Sequence, residues 1–382
     1  MISIKQKEKC NGCSACFNIC PKRAITMQSD MEGFLYPYVD KEKCINCDLC
    51  IKVCPIEKDN KNIVNNIEAI ACKNKKENIR KESSSGGVFT ALCEEVISKN
   101  GVVFGAAYDD KLNVHHCYVE TIEDCSKFRG SKYVQSKIGE TFKEVKEFLL
   151  QDKMVLFSGT PCQIAGLYSY LGREYDNLIL VDIACHGVPS PLVFKKYLES
   201  LENKNGSKVN NVSFRDKKTG WKRYSFKVSY DDKTTSEIAY DNIYMKGFLS
   251  DIYLRPSCYE CKFKKPITYA DLTLADYWGI DNIHPKFDDD KGTSLVLINT
   301  FKGKKCINNI LNKLDYINTE YEQAIKYNPS IVNASNFKDI NKRKKFFDKL
   351  TSKNVENLID KYTKHTLIKK VIYKLKKIIL SR

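Results

Sequence analysis

No stretch of this 382-residue chain approaches the run of about 18 uninterrupted apolar residues that a membrane span requires. The chain begins Met1-Ile2-Ser3-Ile4-Lys5-Gln6-Lys7, without an apolar leader. No GxGxxG opens a helical pattern, so a Rossmann nicotinamide site has no support. Acidic residues are also short, 47 against 63 basic, for a net charge of +16. That excess ordinarily raises the question of nucleic acid. Here it is gathered at one end: Lys338 to Arg382 carries 15 basic and 4 acidic residues. The rest is nearly balanced and no nucleic-acid motif accompanies the charge, so no nucleic-acid partner is expected. What the chain has in abundance is cysteine, 17 in all. Free thiols and metal clusters survive best in a reducing interior, so the expected compartment is cytoplasmic and disulfides are not expected.

Cys10, Cys13, Cys16 and Cys20 recur as Cys44, Cys47, Cys50 and Cys54, and both runs end in Cys-Pro. C-x2-C-x2-C-x3-C-P is the bacterial ferredoxin run for two [4Fe–4S] clusters, in which the fourth cysteine of each run reaches the other cluster. The expected sets are therefore Cys10, Cys13, Cys16 and Cys54 for one cluster, and Cys44, Cys47, Cys50 and Cys20 for the other. Pro21 and Pro55 turn the chain away after the last ligand. The rival is a pair of zinc knuckles, since zinc also takes thiolates. Two matching runs of four, each closed by proline, argue against it.

Residues 1–58 thus read as a bacterial-type ferredoxin domain. Residues 59–80, polar and rich in lysine and asparagine, read as a linker. The body, 81–330, opens with Ser83-Ser84-Ser85-Gly86-Gly87 before a helical pattern, followed by a hairpin of Val102–Tyr108 with Val114–Glu120. An α/β alternation comes next: strands over 154–157 and 178–184, helices over 161–171 and 191–201. Further strands are expected near 209–214, 224–229, 272–275 and 295–299. The expected fold is α/β (α+β), a mixed-sheet domain behind the ferredoxin domain, with a basic helical tail over 331–382.

The most informative loops follow the two central strands: Ser158-Gly159-Thr160-Pro161-Cys162-Gln163 and Cys185-His186-Gly187-Val188-Pro189. Open α/β sheets bind ligands at strand carboxyl ends, and exposed helix N–H groups favour anions. A flavin pyrophosphate or an anionic cluster suits such a place, and so does a plain helix start. Cys258 and Cys261, with Cys162 and Cys185, supply enough thiols for a third [4Fe–4S] cluster, although a CxxC also suits a dithiol switch or half a zinc site. His186, beside Cys185, is a candidate proton donor, with a local structural hydrogen bond as the plainer role. His115 and His116 read as ordinary strand residues. Arg129-Gly130-Ser131-Lys132-Tyr133 suits a cofactor's phosphates but on its own is no better than a polar loop. Asp276-Tyr277-Trp278-Gly279 ends another strand and could meet the same pocket.

In this order the segments Ser83–Gly87, Arg129–Ser136, Ser158–Gln163, Cys185–Pro191, Cys258–Cys261 and Asp271–Gly279 resemble the beta subunit family of coenzyme F420 hydrogenases and dehydrogenases. With the ferredoxin runs, the resemblance covers roughly residues 1 to 305. It implies an FAD-binding module with its own [4Fe–4S] cluster on Cys162, Cys185, Cys258 and Cys261. It also implies flavin contacts around Ser84, Ser85, Gly86, Gly87, Arg129, Gly130, Ser131, Lys132, Gly159, Thr160, Asp276 and Gly279. The function so implied is an iron–sulfur flavoprotein oxidoreductase working with ferredoxin or another redox protein, and with coenzyme F420 or another small reducible substrate. The alternative is a non-catalytic electron-transfer subunit of a larger complex, in a setting such as polysaccharide synthesis. Thr366 to Arg382 places six aliphatic residues on one helical face bordered by lysines. That pattern suits packing on the chain's own body, peripheral contact with an anionic membrane, or a protein partner.

Overall fold

The computed structural model describes residues 1–58, 63–337 and 339–364. The expected amphipathic segment Thr366–Arg382 lies outside the described residues. Between the two cysteine runs, β1 (Ile25–Ser29) and β2 (Leu35–Val39) form an antiparallel hairpin. Short helices α1 (Ala15–Ile19) and α2 (Leu49–Lys52) begin at matching places, just before the third cysteine of each run. The repeat extends to the backbone. Gly12 and Ser14 in the first run, and Asn46 and Asp48 in the second, are all left-handed, so each run curls in the same way around its sulfurs.

The body is built on an eight-stranded mixed sheet. Its strands are β3 (Glu68–Asn74), β4 (Val102–Tyr108), β5 (Val114–Val119), β6 (Val155–Gly159), β7 (Leu178–Ile183), β11 (Leu272–Asp276), β12 (Ser294–Ile298) and β13 (Leu314–Thr319), in the order β13-β3-β12-β11-β7-β6-β4-β5. A smaller antiparallel sheet holds β8 (Val209–Asp216), β9 (Ser225–Tyr230) and β10 (Thr234–Ile238). In the large sheet β11, β7, β6 and β4 run parallel. β3 is antiparallel to β12, itself antiparallel to β11, so β3 runs in the same sense as the parallel set. All five strands therefore deliver their following loops to one edge, which is why segments far apart in sequence meet there.

Residues 68–74, expected within a linker, form β3 and sit between β12 and β13. Ala69 and Ala71 face one core and Ile70 and Cys72 the other. Four small or apolar residues between lysine- and asparagine-rich flanks make a weak local signal, and the partners that decide the matter come more than 200 residues later. The expected boundary after residue 58 is likewise no break in packing. Ile2, Ala15, Ile25 and Val53 share a core with Phe104, Phe142, Phe157 and Ile164 of the body. Phe34, next to the tip of the β1–β2 hairpin, is wholly buried in the other large core, a burial worth about 1.5–3 kcal/mol. Gly33 (φ +86°) permits that insertion, because a Cβ there would overlap Leu192. At the far end, Phe346, Leu350, Val355, Leu358 and Ile359 complete the same core. The first part of the expected tail is thus built into the body. No described helix is long and apolar enough to cross a membrane.

Candidate redox site

Beyond α3 (Glu77–Glu82), α4 (Val88–Ile97) and α5 (Thr141–Leu150), the chemistry begins with helix α6 (Pro161–Leu171), which follows β6 directly. Thr160 caps it in a reciprocal capping box with Gln163, whose Oε1 accepts from the Thr160 amide at 2.9 Å, and Pro161 takes the first turn. Cys162 therefore sits at a rigid helix start, its Sγ 3.2 Å from Thr160 Oγ1. Cys185 leaves β7 on the same edge. Cys258 ends the short turn Pro256–Cys258 and accepts from the Val188 amide at 3.4 Å, which ties it to the Cys185 loop. Burial, and then the charges of neighbouring thiolates in the group, push Cys162 up to about 12. Burial likewise pushes Cys185 up to about 11, with Cys261 adding to the rise. Cys258 is raised by burial and by Cys185, Cys162 and Cys261. The four thiols thus share one buried neighbourhood. Cys162, Cys185 and Cys258 would need metal to displace their protons before serving as thiolates there.

The N-terminal cysteines separate into two small cavities. One is lined by Cys10, Cys13, Cys16 and Cys54, the other by Cys20, Cys44, Cys47 and Cys50. The mixed sets arise because the fourth cysteine of each run crosses to the other cavity. Backbone amides are aimed at the sulfurs: Ile2 N donates to Cys50 Sγ at 3.2 Å and Ala24 N to Cys20 Sγ at 3.3 Å. Burial pushes the Cys13 thiol up, and the Ala15 amide opposes part of that rise. Among the described residues no three His, Cys, Asp or Glu side chains converge closely enough for a single metal ion. Four sulfurs around a common void, met by N–H donors, are the donor set a cubane takes.

The cavity nearest Cys13 abuts α6. A Cβ at Gly166, one turn after Cys162, would stand 2.8 Å from Cys13 Cβ and 3.0 Å from its Sγ. No other residue type fits the close approach of these two elements.

At the sheet edge itself lies a cavity of about 470 Å³, within the range of small-molecule and cofactor sites. Ser84, Ser85, Gly87, Arg129, Gly130, Ser131, Lys132, Gly159, Thr160 and Asp276 line it. Gly86 and Gly279, expected beside them, do not. Gly86 is pressed against the backbone of Cys72 and Ser294, and Gly279 against the Tyr327 ring. Ser84 and Ser131 join two of the loops, with Ser131 N donating to Ser84 Oγ at 2.6 Å. Arg129 pairs with Glu82 at 2.6 Å. Lys132 differs: among the described residues its Nζ donates to the Arg129 and Gly130 carbonyls, at 3.2 and 3.3 Å, lies over the Tyr108 ring at 5.6 Å, and is lowered by burial to about 8. A sequestered ammonium with weak neutral partners favours an anion. Asp276 is held by the buried Arg215, through Nη1 at 2.8 Å, and by Trp221 Nε1 at 2.9 Å. The Arg215 Nε has no partner among the described residues.

Cys185 and His186 reach this cavity from the side of the four-thiol group. His186 Nε2 lies 2.5 Å from Asp251 Oδ1 and its ring stands edge-on to Phe248. His116, read from the sequence as an ordinary strand residue, also lines the cavity. Its Nε2 lies 3.0 Å from the Ser158 carbonyl, which can only accept, so Nδ1 accepts from Ser136 Oγ at 2.7 Å. Burial lowers its pKa to about 4, so the ring is neutral. Two further residues carry weight here: Arg215, from a segment Arg215-Asp216-Lys217 that is only weakly suggestive in the sequence, and Arg255, lying between the inner cysteine cavity and Cys258, which the sequence did not flag.

Comparison with known proteins finds three family matches along the chain. Residues 9–58 match a 4Fe-4S dicluster domain. Residues 69–143 match the N-terminal part of the coenzyme F420 hydrogenase/dehydrogenase beta subunit, and residues 152–324 its C-terminal part. No curated protein sequence matches. A chain of the F420-reducing [NiFe] hydrogenase complex from Methanosarcina barkeri aligns at 17% identity and a TM-score of 0.46, over 82% of this chain and 95% of that one. With both halves of one family matched in order behind a dicluster domain, the chain belongs to the coenzyme F420 hydrogenase/dehydrogenase beta subunit family and is an iron–sulfur electron-transfer protein of that oxidoreductase family.

Proposed function

We propose that this chain is an FAD- and iron–sulfur-dependent oxidoreductase. In this reading the sheet-edge cavity holds the flavin and Cys162, Cys185, Cys258 and Cys261 hold a third [4Fe–4S] cluster. The supporting observation is contiguity. Cys185 belongs both to the cavity wall and to the buried four-thiol group, while Cys13 of the inner ferredoxin cavity packs on α6 one turn from Cys162. Bound there, the clusters would supply single-electron steps and the flavin would exchange them for a hydride. The chain's own residues have separable tasks. Lys132, with the Ser84 and Ser131 hydroxyls, offers positive charge and donors to a pyrophosphate. Arg215 fixes Asp276 at the wall. His186 has its Nε2 engaged by Asp251, so a proton exchanged with the cavity is carried at Nδ1. The neutral His116 holds the Ser158 turn through its backbone carbonyl. Coenzyme F420 or another small reducible molecule is the proposed substrate, with ferredoxin or a similar protein at the other end.

The test is iron, acid-labile sulfide and flavin per chain on anaerobically purified protein, wild type and Cys162→Ser. About twelve iron and one FAD are expected for the wild type. The variant is expected to retain about eight iron and its flavin but to lose electron transfer between them. Eight iron and no flavin bound by the wild type, even after reconstitution, would leave an electron carrier without its own hydride site.

A further inference from the structure

Four arginines are buried among the described residues: Arg80, Arg215, Arg255 and Arg343. Three hold a carboxylate, Arg80 on Asp289, Arg215 on Asp276 and Arg343 on Glu32. Arg255, with no exposed surface at all, pairs with none among the described residues. Its Nε donates to the Cys10 carbonyl at 2.8 Å, Nη1 to Gln135 Oε1 at 2.9 Å, and Nη2 to the Leu35 carbonyl at 2.9 Å. Nη2 also lies 3.6 Å from Cys10 Sγ, and the guanidinium sits over the Tyr36 ring at 4.3 Å. Every firm acceptor is neutral. A guanidinium cannot shed its proton, and a buried charge without a counter-charge costs several kcal/mol. The one sulfur within its hydrogen-bonding reach among the described residues is Cys10 Sγ, which aims the uncompensated charge at the cavity of Cys10, Cys13, Cys16 and Cys54.

We propose that Arg255 is the built-in counter-charge of the cluster in this inner cavity and holds its reduction potential above that of the cluster in the outer one. The proposal rests on the two-cluster reading of the N-terminal runs. Adding an electron makes a thiolate-ligated cluster more negative, and an adjacent fixed cation stabilises that reduced form, as does an N–H donor on a ligand sulfur. The outer cavity has N–H donors on Cys50 and Cys20, but among the described residues no buried arginine reaches its sulfurs. The charged groups lining it are the Met1 ammonium, Lys22 and Asp48, and Met1 and Asp48 form an exposed pair with each other, screened by water and salt. When an electron passes from the outer cluster to the inner, one centre loses it and the other gains it. No bond or proton changes hands, so the difference in potential alone sets the balance. Arg255 biases that balance inward, toward α6 and Cys162.

The experiment is an EPR-monitored redox titration of the full chain, wild type, R255Q and Q135E, with iron counted on each. Q135E is the gentler change, since it sets a carboxylate on the guanidinium while leaving Arg255 in place. It keeps the test available if R255Q fails to fold. Both variants are expected to retain their iron and to shift one cluster signal only. At the wild-type midpoint of that signal, the reduced-to-oxidised ratio should fall about tenfold or more, about 59 mV for one electron. Q135E with full iron and every midpoint at its wild-type value would overturn the proposal. Fewer than about eight iron in the wild type would instead remove the two-cluster premise beneath it.

Discussion

The two cysteine cavities of the N-terminal lobe share one motif, one helix start and one pair of left-handed turns, yet their surroundings are opposite. The inner cavity is walled by the body: Arg255 and Gln135 hold its loop through the carbonyls of Cys10 and Asn11, and Gly166 stands against Cys13. The outer one opens on solvent, with Cys47 exposed and Ile45 at 57% exposure beside it. Ligand spacing is thus a property of the run, whereas the electrical environment of the bound group is a property of the fold around it. An exposed centre suits exchange with another molecule, and a walled centre suits relay into the body.

The largest test of this contrast removes the clamp on the inner face. Arg343 grips Glu32 of the β1–β2 hairpin with two bonds of 2.7 and 2.6 Å in a buried setting. Arg343→Met strands the Glu32 charge and should destabilise the chain by about 3–5 kcal/mol, read in anaerobic urea unfolding. A loss below about 1 kcal/mol would mean that the hairpin is not anchored there. Next comes Gly166→Val, which forces α6 away from Cys13. We expect a loss of about 1–3 kcal/mol and depletion of the inner cluster, about four iron per chain, with the outer cluster kept. Equal depletion of both would erase the distinction between the cavities. The smallest effect is expected at the outer face, where Asp48→Asn breaks only the exposed pair with the Met1 ammonium. Neither the unfolding midpoint nor the iron content should change measurably. A clear loss would show the outer face to be as tightly built as the inner.

Much of this was legible before any coordinates. Cysteine spacing encodes a ligand loop locally, so the division of eight cysteines into two crossed sets follows from the runs themselves. The Ser158 and Cys185 loops were legible because short buried strands followed by glycine, proline and a helical pattern mark a parallel sheet's working edge. Arg255 was not. Its partners lie 120 and 245 residues away, and a single arginine before Pro256 carries no local sign of burial. β3 was missed because its strand character comes from partners late in the chain. His116 looked ordinary because its place at the cavity depends on β5 entering the sheet at the edge where the parallel strands end. Gly86 and Gly279 were placed beside a cofactor on the strength of their motifs, whereas their hydrogen side chains serve packing against β3, β12 and Tyr327.

The long reach of Arg255 also imposes a schedule on synthesis. Cys10 and Arg255 are 245 positions apart, so at roughly 5–20 residues per second the ribosome presents the inner cysteines some tens of seconds before their wall exists. During that interval the nascent lobe can curl its loops but cannot shelter what they hold. Iron delivered before the body closes would let the guanidinium and the cluster lose their water together, whereas iron delivered afterwards would meet a guanidinium already buried without its counter-charge.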